Sequence, residues 1–159
     1  MRSVSLGTIS KVIKAYLDSC IIISLIEGAE AQQQLLKQNL AERSIFSSEL
    51  ARLETQIVPT KQNDKDSLQQ LERFFAACKM TELNRAAFDQ AIQLRVKSKL
   101  KTPDAIYLSA AIVSGCQEFW TDDKQLKSIV NKYLKAIGCE DMQKTALDLN
   151  SDERKNESE

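Results

Sequence analysis

A chain of 159 residues, 43% hydrophobic and 28% charged, with four glycines and two prolines, has the size and composition of one globular domain that folds on apolar burial without disulfides or a structural metal. Its 22 basic and 22 acidic residues cancel, so net charge selects no class of partner. The absence of histidine excludes Ser-His-Asp and Cys-His catalysis and the His-Glu-x-x-His zinc helix, while four glycines supply neither a Walker loop nor a Gly-x-Gly-x-x-Gly turn.

Residues 1–11 read as an N-terminal extension, and the run from Val12 to Leu17, rich in β-branched and aromatic residues, reads as the first strand. Asp18 and Ser19 then cap an apolar helix through Ile26 that Gly28 stops, and Ala29 to Glu42 carries Leu35, Leu36 and Leu40 at helical spacing. Ser44 to Ser47 is a second strand. Ser48 is the expected N-cap of a helix with Leu50, Leu53, Ile57 and Val58 on one face, which Pro59 is expected to end. Residues 60–67 read as a loop, Leu68 to Ala77 as a helix and Met80 to Leu83 as a third strand.

Asn84 caps a helix expected over Arg85 to Leu100. Thr102-Pro103-Asp104 is a helix start in which Thr102 caps, Pro103 fits the first turn and Asp104 complements the dipole. The helix it opens, Asp104 to Ser114, is apolar nearly all round and therefore belongs in the core; Gly115 ends it. Glu118 to Thr121 is a strand, Lys124 to Tyr133 a helix and Lys135 to Ile137 a last strand. Asn150 to Glu159 holds no apolar residue and reads as a disordered charged tail, leaving 12–149 as the domain.

Strands alternating with helices imply an α/β sandwich around a mostly parallel sheet, whose ligands bind beyond the carboxyl ends of the strands. Cys20, Cys78, Cys116 and Cys139 form no Cys-x-x-Cys pair and read as free thiols in a reducing compartment, the cytoplasm. The run Cys20 to Ile26 is short and flanked by Asp18 and Glu27, so neither a signal peptide nor a membrane span is expected.

Asp18 and the Asp122-Asp123 pair fall at strand ends, while Glu54 and Asp104 lie on core helices. Taken singly, each is explained by capping, by an Asx-turn or by a solvated helix face. Taken together they form a carboxylate cluster that repels itself unless cations neutralise it, and an all-oxygen site suits Mg²⁺ or Mn²⁺ rather than zinc. Arg95, Lys97, Lys99 and Lys101 form a basic cluster just before Asp104, either a solvated face or a track for phosphates, and Arg52 is a further candidate for a phosphate or a carboxylate partner.

Four segments carry a family resemblance: Tyr16-Leu17-Asp18-Ser19-Cys20, Ser48-Glu49-Leu50-Ala51-Arg52-Leu53-Glu54, Thr102-Pro103-Asp104-Ala105-Ile106-Tyr107-Leu108 and Trp120-Thr121-Asp122-Asp123-Lys124. In order and spacing the chain resembles the PIN-domain ribonucleases over about residues 12–140, above all the VapC-like toxins of toxin-antitoxin pairs. The resemblance implies a PIN-like three-layer α/β/α sandwich and a Mg²⁺- or Mn²⁺-dependent endoribonuclease. It implies that Asp18, Glu54, Asp104 and Asp123 hold the metal, with Asp122 able to share the last role; the family's acid six positions after its serine selects Glu54 over Glu49. Asp18 and Asp104 would hold the principal ion directly, and an RNA substrate, an antitoxin protein and a homodimer through helices of the first half are implied as partners.

Two rivals stand beside it. An aspartyl-phosphate enzyme of the haloacid-dehalogenase pattern wants a second Asp two positions after Asp18, where this chain has Cys20. A PIN-like module without activity, serving only to dock a partner, is opposed by the presence of all the motif acids.

Overall fold

The computed structural model of the chain describes residues 12–142, so the extension at 1–11, the end of the domain from 143 to 149 and the tail at 150–159 lie outside the described residues. Five strands, β1 (Ile13–Leu17), β2 (Arg43–Ser48), β3 (Lys79–Thr81), β4 (Glu118–Trp120) and β5 (Lys135–Ile137), form one sheet in the order β3-β2-β1-β4-β5. Every pairing is parallel. The connections run through α1 (Ser19–Glu27), α2 (Glu30–Leu40), α3 (Glu49–Lys61), α4 (Lys65–Ala77), α5 (Arg85–Lys97), α6 (Thr102–Val113) and α7 (Lys124–Val130), as parallel crossovers require. The expected α/β sandwich is the one observed. No helix among the described residues is long and apolar enough to cross a membrane.

Ala15, Tyr16 and Leu17 on the central strand are fully buried, because helices cover both faces of the sheet. On one face Tyr16 stacks on Phe119 at 5.6 Å and meets Tyr107 of α6 at 6.1 Å. Leu17 and its register partner Trp120 point to the other face, where the Arg43 guanidinium lies 5.3 Å over the indole and pairs at 2.6 Å with buried Glu118.

Several boundaries differ from expectation. Pro59 lies inside α3, which runs on to Lys61. The ring removes only the bond to the Thr55 carbonyl and is itself buried, so packing offsets the loss in the last turn. Asn63, at φ 51°, then turns the chain, and Asp64 caps α4 by accepting the Ser67 N–H at 3.1 Å, which starts that helix at Lys65 within the expected loop. The helix α5 ends at Lys97, short of Leu100, and α7 ends at Val130, short of Tyr133. Thr102 is the first residue of α6 rather than its cap; Lys101 holds the cap position and the Thr102 hydroxyl accepts from Arg95 Nη1 at 2.8 Å. Ser48 does hold the cap position of α3, but its hydroxyl pairs with Tyr16 Oη at 2.8 Å.

Candidate active site

The sheet order reverses direction between β1 and β4, since the chain builds outward from β1 through β2 to β3 and then returns to lay β4 on the opposite side. Crevices of this kind open beyond the carboxyl ends of the two flanking strands. Here those ends carry Asp18 and the Thr121-Asp122-Asp123 segment, tied together by the Asp18 N–H donating to the Trp120 carbonyl at 3.1 Å.

Asp18 caps α1: its Oδ1 accepts the Ile21 N–H at 3.2 Å and the Cys20 thiol at 2.8 Å. Only 6% of the residue is exposed, and burial pushes its carboxyl above the usual range despite those hydrogen bonds, with Asp104 adding repulsion. The same burial, together with the Asp18 charge, holds the Cys20 thiol up at about 12, so it remains a neutral donor.

Asp104 stands in the first turn of α6. Its carboxyl is also raised, by burial first and then by the charges of Asp123 and Glu54, with Lys101 acting in the opposite sense. Glu54, midway along α3, accepts the Ser19 hydroxyl at 3.2 Å. Asp123 caps α7 by taking the Leu126 N–H on Oδ1 at 3.0 Å, while its own N–H donates to Thr121 Oγ1 at 3.1 Å. Asp18, Glu54 and Asp123 are therefore all within electrostatic reach of Asp104. Asp122 is turned elsewhere: its Oδ1 accepts the Cys139 N–H at 2.6 Å, in the turn after β5.

The chemistry of this set suits a hard divalent ion: oxygen donors that repel one another. Among the described residues no three acidic or thiol side chains stand close enough to form a finished cage. Mg²⁺ needs none, since it binds through one or two carboxylates and keeps several waters.

The basic residues divide. Lys99 and Lys101 line an open cleft of about 140 Å³ together with Asp104 and Asp123. Arg95 donates to the Leu100 carbonyl at 3.1 Å and so braces the segment that carries both lysines. Lys97 is exposed at the end of α5. Arg52 lies on the exposed side of α3, paired with Glu49 at 2.6 Å. A larger cavity of about 380 Å³, beside Arg43, Trp120 and Lys135, contains none of the four acids. Sequence reasoning missed Ser19 and Tyr107 as neighbours of Glu54; the signal was position, since Ser19 follows Asp18 directly and Tyr107 lies one turn after Asp104 on the same helix face.

The family model for the PIN domain matches residues 15–132. Nothing among the curated proteins matches the chain. A toxin-antitoxin complex from Klebsiella pneumoniae contains a chain 22% identical, with a TM-score of 0.61, covering 72% of this chain and 90% of that one. VapBC2 from Rickettsia felis, bound to a DNA fragment from its promoter, gives 17% identity and a TM-score of 0.65 over 79% of this chain and 98% of that one. VapC20 from Mycobacterium tuberculosis, described as a sarcin-ricin loop cleaving toxin, gives 12% identity and 0.58 over 72% and 93%. At these identities the likeness is one of fold.

Proposed function

Because the chain belongs to the PIN-domain family, we propose that it is a Mg²⁺- or Mn²⁺-dependent endoribonuclease and the toxin of a cytoplasmic toxin-antitoxin pair. The observation that supports the reading is the placing of Asp18 and Asp123 at the carboxyl ends of β1 and β4, with Asp104 on the same cleft as Asp123 and in electrostatic reach of Asp18 and Glu54.

A divalent ion held there would lower the pKa of a bound water and offset charge on the phosphodiester. Asp18 and Asp104 are the direct ligands in this reading, with Glu54 and Asp123 holding the ion directly or through water. Asp123 is favoured over Asp122 as the fourth acid because it shares the cleft with Asp104, whereas Asp122 is turned to the Cys139 backbone. The Ile21 N–H and the Cys20 thiol orient Asp18 in advance, so little reorganisation accompanies binding. Lys99 and Lys101 bring the RNA backbone to the acids, and Arg95 holds their segment in place. The antitoxin and a second copy of the chain complete the proposal; Leu53, Ile57 and Val58, exposed on α3, support a dimer through helices of the first half.

The test is calorimetric titration of Mn²⁺ into the parent and into Asp104→Asn, followed by RNA cleavage with each. Binding and cleavage by the parent, both lost in a folded variant, are expected. A parent that binds Mn²⁺ without cutting any RNA is a docking module, and cleavage that survives in Asp104→Asn refutes the site.

A further inference from the structure

Tyr107 is 2% exposed, and among the described residues its hydroxyl is buried without a partner at hydrogen-bond geometry. Buried phenols ordinarily find one, so an orphaned Tyr hydroxyl calls for an explanation. The polar side chains beside it are Glu54 and Ser19, and a phenol carries its proton at neutral pH. It is therefore a donor beside an acceptor. The other tyrosine of this layer cannot take the role, because the Tyr16 hydroxyl is engaged with Ser48 Oγ at 2.8 Å. The buried Tyr107 ring packs 6.1 Å from Tyr16 at 50°. Ser19 already holds Oε2 of Glu54 from the β1 side.

We propose that Tyr107 is a positioning residue for Glu54, its hydroxyl and that of Ser19 clasping the carboxylate from two elements and fixing the direction in which it faces Asp104. The arrangement links three elements in one small unit: α1 supplies Ser19, α3 supplies Glu54, and α6 supplies Asp104 with Tyr107 one turn later. Glu54 comes from mid-helix, with no cap geometry to orient it, unlike Asp18 and Asp123. A glutamate also has one more rotatable bond than an aspartate, so it gains most from donors that restrict it.

The inference rests on the carboxylate-site reading, and the experiment separates the two. Tyr107→Phe keeps the ring and removes only the oxygen. Mn²⁺ is titrated calorimetrically, without RNA, into the parent, Tyr107→Phe, Glu54→Ala and the double variant, with thermal unfolding of each. Expected are a Tyr107→Phe protein that melts no lower than the parent, Mn²⁺ affinity weakened about tenfold as for other groups that orient a metal ligand, and no further loss when the change is made in Glu54→Ala. Ser19→Ala behaves in the same way. Parent-like affinity in Tyr107→Phe, or an equal loss on both backgrounds, overturns the inference and leaves the metal site standing. A Tyr107→Phe chain that fails to fold assigns the hydroxyl to the core and overturns it too, whereas a parent that binds no Mn²⁺ removes the carboxylate reading and this inference with it.

Discussion

Asp18 and Asp104 illustrate how a functional group costs stability. In the folded chain both carboxyls titrate above the ordinary carboxylate value, chiefly because burial penalises the charge. Groups raised in this way favour the fold in their neutral forms: the stabilisation is complete below the unfolded value and is lost as pH rises through the folded one. At neutral pH without metal, each therefore works against the fold. Asp18→Asn keeps a good helix cap and Asp104→Asn keeps the shape, so either variant melts higher than the parent at pH 7 in chelator, by on the order of 3 °C. The advantage disappears in acid, once the parent's carboxyls are protonated. Adding Mn²⁺ reverses the order, because the parent keeps every carboxylate proposed to hold the ion and is stabilised more by binding it. Differential scanning calorimetry at pH 7 and below pH 4, with and without Mn²⁺, checks all three statements. An Asn variant that melts lower in every condition refutes the assignment of cost to charge.

At the scale of elements, what the sequence makes legible is whatever announces itself locally. Asn84 caps α5 by accepting the Ala87 N–H at 3.1 Å, Gly115 at φ 72° turns the chain out of α6, and the apolar run before Asp18 is the central strand, all as their residue types indicate. Departures arise where tertiary partners compete for a local signal. Ser48 and Thr102 look like side-chain caps, but their hydroxyls serve Tyr16 and Arg95, which no neighbouring residue reveals. Pro59 looks like a stop, but its burial keeps the last turn of α3. Gly28 ends α1 as expected, for a reason the sequence does not show. Its φ of −68° is ordinary, and what excludes a side chain is the Ser24 carbonyl, 2.3 Å from where a Cβ would sit and itself bonded to the Gly28 N–H. Gly28→Ala must therefore force the α1–α2 junction apart, at about 2 kcal/mol. Urea unfolding checks this as a lower midpoint with unchanged slope; a parent-like midpoint shows that the junction yields freely.

At the scale of the molecule, the reversal of strand order brings Asp18, after β1, and Asp123, after β4, to one crevice, while the order and spacing of the four motifs propose these acids with Glu54 and Asp104 and leave Asp122 open beside Asp123. Which cations serve them depends on side-chain pairing instead, which motif order does not encode. Lys99 and Lys101 share the cleft with Asp104 and Asp123, whereas Arg52 is paired with Glu49 on another surface. If RNA reaches the acids along that cleft, each lysine replaces condensed counterions on the strand, and the affinity falls with salt by about 0.7 logarithmic units per contact for each decade of salt. The double variant Lys99→Ala, Lys101→Ala is then expected to flatten the plot of log affinity against log salt by about 1.4. Arg52→Ala is expected to leave the slope close to the parent's. Fluorescence anisotropy of a labelled single-stranded RNA in chelator, which prevents cleavage, provides the measurement across a series of KCl concentrations. A slope that changes with Arg52 and not with the lysines moves the RNA path to the outer face of α3, and with it the side from which the scissile phosphate enters.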